Sequence, residues 1–179
     1  MIKYVAWCIL LAAAPMAGQV KTVEAIKGES LITYMLRHPL HHIEANSPDG
    51  RFRVTLDPTA KTIKTVTASV DVMTFDSGNS NRDSHAMEVV EALLYPDVSF
   101  TSTGVSESGD SIHVAGALTF HGITKNIVMA GTEHWSDKKL DVDGEFTVSL
   151  TEFHIERPAL LLIPVDDALK FVLKVSFPL

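Results

Sequence analysis

Alternation of apolar and polar residues is the feature that most limits how this chain can fold. In segment 51–57, Phe52, Val54 and Leu56 alternate with polar residues, and segment 169–177 repeats the pattern. Successive side chains of a β-strand point to opposite faces, so a period of two predicts strands with one apolar and one polar face. Such strands are typical of antiparallel sheets and argue against a doubly wound parallel sheet.

About eight segments carry this signal, namely 30–36, 51–57, 65–72, 98–103, 112–120, 127–130, 140–150 and 169–177. Turn-forming residues separate several of them, as in Ser47-Pro48-Asp49-Gly50. Gly116 and Gly144 stand inside strands, where a closing barrel bends sharply. We therefore predict a mainly all-β chain built as an antiparallel eight-stranded barrel, with a β-sandwich as the alternative.

One segment, 82–95, has a helical period instead. Asp83 or Ser84 is the predicted cap at its start, and Tyr95-Pro96 is its predicted end. Its apolar residues recur at the spacing of one face of an amphipathic helix, namely Ala86, Val89, Val90, Leu93 and Leu94. The sequence thus predicts one amphipathic helix among the strands.

The first 18 residues have the layout of a secretory signal peptide. Lys3 is followed by the apolar run 4–14 and by the small residues Ala17 and Gly18. The only cysteine, Cys8, lies inside this segment, so residues 19–179 contain no disulfide and no thiol ligand. We predict a signal peptide over 1–18 and a single barrel domain over 19–179, and hence a periplasmic or secreted bacterial protein.

The charge pattern bears on the choice of partner. The chain has 22 acidic and 15 basic residues, a net charge of −7, and no cluster of Lys and Arg. A chain with this balance attracts neither nucleic acid nor an anionic lipid surface through its overall charge. We therefore predict no nucleic-acid partner, and no transmembrane segment after the signal peptide.

Catalytic signatures such as a Gly-x-Ser-x-Gly elbow or His-Glu-x-x-His are absent from the sequence. The densest group of polar ligands is formed by His38, His41 and His42, which suggests a histidine-dependent metal-binding protein or metalloenzyme. In the competing interpretation, His38 ends a strand while the other two lie on a solvated loop. We predict no catalytic residue, no metal site and no cofactor, and keep the metal hypothesis as the alternative.

Other polar residues allow two interpretations each. The pair Asp166-Asp167 either binds a cation or is solvated, and Arg157 either meets an anionic ligand head group or pairs with a nearby acid. Isolated histidines are usually surface residues or satisfied polar residues, which here applies to His121, His134 and His154.

Three ordered motifs resemble the YceI-like family. These are Arg82-Asp83-x-His85, then Tyr95-Pro96-x-Val98-x-Phe100-x-Ser102, then the run from Gly116 to Lys125, GALTFHGITK. His38 and Gly50-x-Phe52 are similar to further family positions, and the resemblance spans about residues 29–177. Ala117 and Asn126 depart from the family pattern, and segment 156–162 matches a late family element only in part.

The resemblance implies a lipocalin-like barrel that holds a polyisoprenoid, an isoprenoid quinone or another long-chain amphiphile. The inward positions expected to line its interior are Phe52, Val54, Val70, Val72, Phe100, Leu118, Phe120, Phe146, Val148 and Phe171. A filled barrel that acts as a partner-binding module is a further alternative, and a homodimer is left open as the assembly.

The segment 116–129, GALTFHGITKNIVM, reads as a β-hairpin. Alternation places Leu118 and Phe120 inward and Thr119 and His121 outward. Gly122 and Thr124 are then expected to shape the turn.

Overall fold

The computed structural model describes residues 19–179, so the predicted signal peptide lies outside the described residues. Strands dominate, with one α-helix and two short 3₁₀ turns at Val72–Thr74 and Thr151–Phe153. The elements are β1 (Lys21–Glu24), β2 (Leu31–His38), β3 (His41–Ser47), β4 (Arg51–Asp57), β5 (Thr62–Asp71), α1 (Ser80–Val89), β6 (Asp97–Ser108), β7 (Ser111–Phe120), β8 (Ile123–Trp135), β9 (Lys139–Ser149), β10 (Ala159–Leu160), β11 (Ile163–Pro164) and β12 (Ala168–Pro178).

Ten of these strands form one antiparallel sheet in the order β1-β4-β5-β6-β7-β8-β9-β12-β2-β3. The sheet curls into a half-barrel, which confirms the predicted all-β antiparallel architecture. The predicted number of eight strands is wrong, because β1 and β3 escaped detection. Both are edge strands, and an edge strand carries fewer inward apolar residues to reveal it. The strands β10 and β11 form a separate small hairpin.

Backbone hydrogen bonds join the two margins of the curled sheet. The N–H of Ala25 donates to Phe52 and extends the β1–β4 pair, and the N–H of Ile26 crosses the gap and donates to Ser176 of β12 at 2.8 Å. At the other end of the gap, Asn46 and Asp76 exchange two backbone bonds of 2.9 Å. These contacts hold the half-barrel around a common interior.

The interior is apolar because the inward faces of the strands meet there, as the period of two predicts. Leu56 and Leu140 are fully buried at the end that contains the turns 58–61 and 136–138, which we call the deep end. The opposite end, with α1, the β7–β8 turn and the β10–β11 hairpin, is called the mouth. Phe153 is buried at the mouth.

Helix α1 is shorter than predicted and starts earlier. Its cap is Asn79, whose Oδ1 accepts from the N–H groups of Asn81 and Arg82, and not Asp83 or Ser84. The helix ends at Val89, so Leu93 and Leu94 lie on the following turn with 91% and 69% of their surface exposed. The apolar period continued past the helix because hydrophobic spacing alone does not register where a chain leaves the core.

The β7–β8 connection is a tight two-residue turn. His121 and Gly122 have φ values of +49° and +70°, the left-handed pair that suits the twist of a hairpin. A Cβ on Gly122 would also lie 2.5 Å from the ring of Tyr95. Both the positive φ and the lack of space therefore require glycine at this position. Within residues 19–179, no helix has the length and apolar character needed to cross a membrane.

Candidate ligand-binding site

Three apolar cavities follow one another through the half-barrel. The mouth cavity has a volume of about 100 Å³, the middle cavity about 40 Å³ and the deep cavity about 70 Å³. Val98 and Phe171 line both the mouth and the middle cavity. Phe52, Ala68, Met129 and Leu173 line both the middle and the deep cavity. The cavities are therefore separated by side chains alone and follow the barrel axis.

The mouth cavity lies between the sheet and the elements that cover it. Helix α1 contributes residues from Asp83 to Val89, β2 contributes Tyr34 and Leu36, and the loop after β9 contributes Pro158. None of the residues of α1 is buried. The helix thus covers the cavity without filling it.

An aromatic stack divides the mouth cavity from the middle cavity. The rings of Phe171 and Phe146 are stacked, with centroids 4.9 Å apart and planes 14° apart. Phe120 meets Phe171 edge-on at 6.5 Å. Rotation of Phe171 about its side-chain torsions would join the two cavities into one channel.

All ten residues predicted to line the interior lie in the core or pack against it. Nine of them line at least one of the three cavities, and Val148 is buried in the same core. Phe146 is half-buried and the other nine are buried. Contact of these residues with a ligand stays a prediction.

The polar side chains that line the mouth cavity are Tyr34 and Asp83. Burial raises the pKa of the Tyr34 phenol, and the carboxylate of Asp83 raises it further, while Arg82 acts in the opposite direction. The phenol is therefore neutral over the physiological range. The cavity lining offers a hydroxyl and a carboxylate but no cation.

The Arg82-Asp83 motif ties α1 to the loop before it. Asp83 accepts from the N–H of Ser77 at 3.2 Å and also from its hydroxyl. Arg82 donates from Nε to Ser77 Oγ at 2.8 Å and from an η nitrogen to Ser77 O at 2.7 Å. Both residues therefore hold the helix start in place over the cavity.

The histidine group 38–42 is divided between the interior and the surface. His38 is only 2% exposed, and its Nδ1 accepts from the N–H of Leu40 at 3.1 Å. Its Nε2 therefore carries the hydrogen and donates to Ile163 O at 2.9 Å. His41 and His42 are exposed on β3. Over residues 19–179, no group of three or more His, Cys, Asp or Glu side chains has a geometry that would hold a metal ion.

The prediction that His121 faces outward is wrong. Its side chain is 9% exposed and does not face outward into solvent. Nδ1 lies 2.9 Å from Phe153 O and Nε2 lies 2.8 Å from Glu91 Oε2, while the ring meets Tyr95 edge-on. The ring thereby joins the β7–β8 turn to the turn after α1 and to the 3₁₀ turn 151–153.

The remaining polar candidates have structural partners. Arg157 donates from Nε and an η nitrogen to Val165 O, at 2.8 and 2.6 Å, and so is committed to its own loop. Asp167 accepts from the Ser149 hydroxyl and from the N–H of Thr151, and these bonds lower its pKa. His134 and His154 are exposed.

The sequence missed the half of the mouth cavity that strands do not supply. The missed residues come from α1, its flanking turns and the loop after β9, including Phe75, Met87, Val90, Ile155 and Pro158. The helical stripe of Ala86, Val89 and Val90 was the available signal, since all three line this cavity. A helix that covers the open end of a barrel necessarily turns its apolar stripe toward the interior.

Together the curled antiparallel sheet, the covering helix and the apolar interior define a half-barrel fold with a row of apolar cavities. The model of the YceI-like domain matches residues 26–177, and the chain belongs to this family. It is 28% identical over 116 residues to Protein YceI of Escherichia coli O157:H7, an alignment that covers 60% of each chain. The chain thus spans about 60% of the length of such relatives, and the same holds for Protein YceI of Salmonella arizonae.

Solved structures show the same fold at low sequence identity. BcnA of Burkholderia cenocepacia is 18% identical with a TM-score of 0.75, over 85% of this chain and 98% of that one. The YCEI protein of Campylobacter jejuni is 18% identical with a TM-score of 0.69, over 80% and 88%. A polyisoprenoid binding domain from Saccharophagus degradans is 10% identical with a TM-score of 0.65, over 89% and 99%.

Proposed function

We propose that this protein is an exported bacterial carrier that holds a polyisoprenoid, an isoprenoid quinone or another long-chain amphiphile along the axis of its half-barrel, without covalent chemistry. The observation that carries the proposal is the row of three apolar cavities with shared walls. The likeness in fold to a polyisoprenoid binding domain supports the same class of ligand.

The ligand chain enters by merging the cavities. Each one is smaller than the cavity of about 150 Å³ that accepts a single benzene ring in a protein core. A long chain therefore needs the side chains between the cavities, chiefly Phe171 and Phe52, to turn aside. Burial of about 500 Å² of apolar ligand surface would contribute about 12 kcal/mol, part of which is lost in ordering the ligand.

The head group remains at the mouth, beside Tyr34 and Asp83. A carboxylate and a neutral phenol accept hydrogen bonds from an uncharged donor but repel or fail to neutralise an anion. An alcohol, an amide or a quinol therefore suits the mouth cavity better than a phosphate does.

The test is native mass spectrometry of the gently purified protein with lipid extraction, followed by titration with a quinone analogue and a long-chain alcohol. The variant Val90→Trp places a large ring in the mouth cavity, and Val128→Trp is its matched control on the outer wall, where Val128 is 60% exposed. We expect Val90→Trp to bind at least about tenfold more weakly than the wild type, because the entering chain loses much of its apolar contact. The control Val128→Trp should bind as tightly as the wild type. A homogeneous empty wild-type protein that refuses both ligands would overturn the proposal.

A further inference from the structure

The β10–β11 hairpin at the mouth carries three exposed apolar side chains in a row. Leu161 is 76% exposed and Leu162 is 98% exposed, and Ile163 follows at 39%. Leu40, at the tip of the β2–β3 turn, is 60% exposed. We call residues 159–164 together with residues 38–42 the docking patch.

The backbone conformation of the hairpin turn is also unfavourable for leucine. Leu161 and Leu162 have φ values of +53° and +66°, a left-handed conformation that Asn and Gly adopt readily and leucine does not. Folding gains nothing from leucine at either position, because the side chains are outside the core. Exposed leucines at these two positions instead indicate a surface that contacts an apolar medium.

The two parts of the docking patch are fixed to each other. His38 donates to Ile163 O, and the N–H of Asp166 donates to Arg37 O at 2.7 Å. The hairpin base closes through the N–H of Val165, which donates to Pro158 O at 2.9 Å. The apolar tips of two separate hairpins are therefore presented side by side.

The docking patch itself contains three histidines and no carboxylate, although the net charge of the chain is −7. Two arginines border it, Arg37 and Arg157, and three acids lie just beyond, Glu44, Glu156 and Asp166. Exposed leucines next to arginine and histidine side chains are a pattern by which proteins settle on an anionic phospholipid surface. The overall acidity disfavours such binding elsewhere on the surface.

The docking patch is continuous with the ligand cavity. Pro158 at the hairpin base and Leu36 at the end of β2 both line the mouth cavity. We propose that the docking patch inserts into the outer layer of an anionic phospholipid bilayer and places the mouth cavity against it, so that the ligand passes between membrane and barrel without crossing water. This inference rests on the proposed function.

The experiment is flotation of the full chain with vesicles of phosphatidylcholine mixed with phosphatidylglycerol, and with vesicles of phosphatidylcholine alone. The test variant combines Leu161→Asn with Leu162→Gly, the pair that a left-handed two-residue turn prefers, so folding is preserved or improved. The matched control combines Leu93→Asn with Leu94→Asn, an equally exposed leucine pair flanked by Glu91 and Asp97.

We expect the wild type and the control to float with the mixed vesicles. The test variant should bind these vesicles at least about tenfold more weakly. The wild type should also prefer mixed vesicles to phosphatidylcholine alone. Equal loss in both double variants, or none in either, would overturn the docking patch. So would a wild-type dimer that dissociates on the Leu161 and Leu162 substitutions without any vesicle binding.

Ligand titration in solution, run on the same variants, separates this inference from the proposed function. A wild type that binds the quinone analogue but not the vesicles contradicts the docking patch and leaves the carrier intact. A wild type that floats with the vesicles but binds no ligand contradicts the carrier instead.

Discussion

The two ends of the half-barrel are built from the same alternating strands but packed in different ways. At the deep end Leu56 and Leu140 have no exposed surface, and the strands alone enclose the core. At the mouth a helix without a single buried residue covers a cavity of about 100 Å³. The core is therefore closed around Leu56 and Leu140 at the deep end, whereas the mouth keeps its largest unfilled space under a cover that contributes no buried side chain.

The largest contrast is expected for the same truncation at each end. Leu56→Ala at the deep end should lower the free energy of unfolding by about 2–5 kcal/mol, because it opens a void in a closed core. Leu36→Ala at the mouth should lower it by only about 1–2 kcal/mol, because Leu36 is half-buried beside an existing cavity. Urea denaturation measures both, and equal losses would remove the distinction between the two ends.

A smaller effect is expected when α1 is released from its loop. Asp83→Ala removes the bonds to Ser77 and should lower stability by about 1–2 kcal/mol. Hydrogen exchange should quicken in α1 and stay unchanged in β9. Ser84→Ala, an exposed neighbour on the same helix, is the control with an effect within about 0.5 kcal/mol. Faster exchange spread evenly over the sheet would mean that the cover is not a separate unit.

Acid should act on the two ends in opposite directions. Burial raises the pKa of Glu133 at the deep end above 4.5, with Glu107 and Asp110 adding to this and the indole of Trp135 opposing it. The stability that protonated Glu133 contributes is present below pH 4.5 and is lost as pH rises. Glu133→Gln should therefore unfold at a higher temperature than the wild type at pH 7, and the two melting curves should converge below pH 4.5.

At the mouth the pH dependence of stability has the opposite sign. The hydroxyl of Ser149 and then the N–H of Thr151 hold the pKa of Asp167 below 3.8, so its contribution is present above that pH and is lost as pH falls through the lowered pKa. Asp167→Asn should melt at a lower temperature than the wild type at pH 7 and match it in stronger acid. If the melting temperatures of wild type and variant differ by the same amount at every pH, the pKa direction given for that residue, Glu133 or Asp167, is contradicted.

The smallest effect concerns the margin of the sheet. Arg53 and Glu24 form an ion pair of 2.6 Å between β4 and β1, but both side chains are mostly exposed. Glu24→Gln should change the free energy of unfolding by less than about 0.5 kcal/mol in urea denaturation. A larger loss would mean that this ion pair, and not the backbone bonds of Ala25 and Ile26, holds β1 in place.

The deep end was predictable from the sequence, while the mouth was predictable only in part. A period of two identifies inward residues such as Phe52 and Val54 because β4 alternates regularly between exposed polar and buried apolar residues. It does not detect β3, whose inward residues include Ala45 and Ser47. Nor does local spacing show that α1 ends before Leu93, because that boundary depends on where the core ends.

Residues that act through tertiary contacts were beyond the reach of the sequence. His121 was expected to face outward by alternation, but its left-handed turn redirects the ring between Phe153 and Glu91. His38 stood out as one of three adjacent histidines, and only the position of Ile163, 125 residues away, shows what its ring does. Separations of this length leave no local pattern.

The stack of Phe171 on Phe146 has a consequence for how fast ligands exchange. Under the proposed function, a short chain that fits into the mouth cavity would leave the rings in place, so its release would wait only on the opening of the cover. A long chain that reaches the middle cavity would pass the two rings, which would pack against it and would have to yield again before it withdraws. Residence time would then rise steeply at one chain length, and the protein would sort its cargo by dwell as well as by affinity.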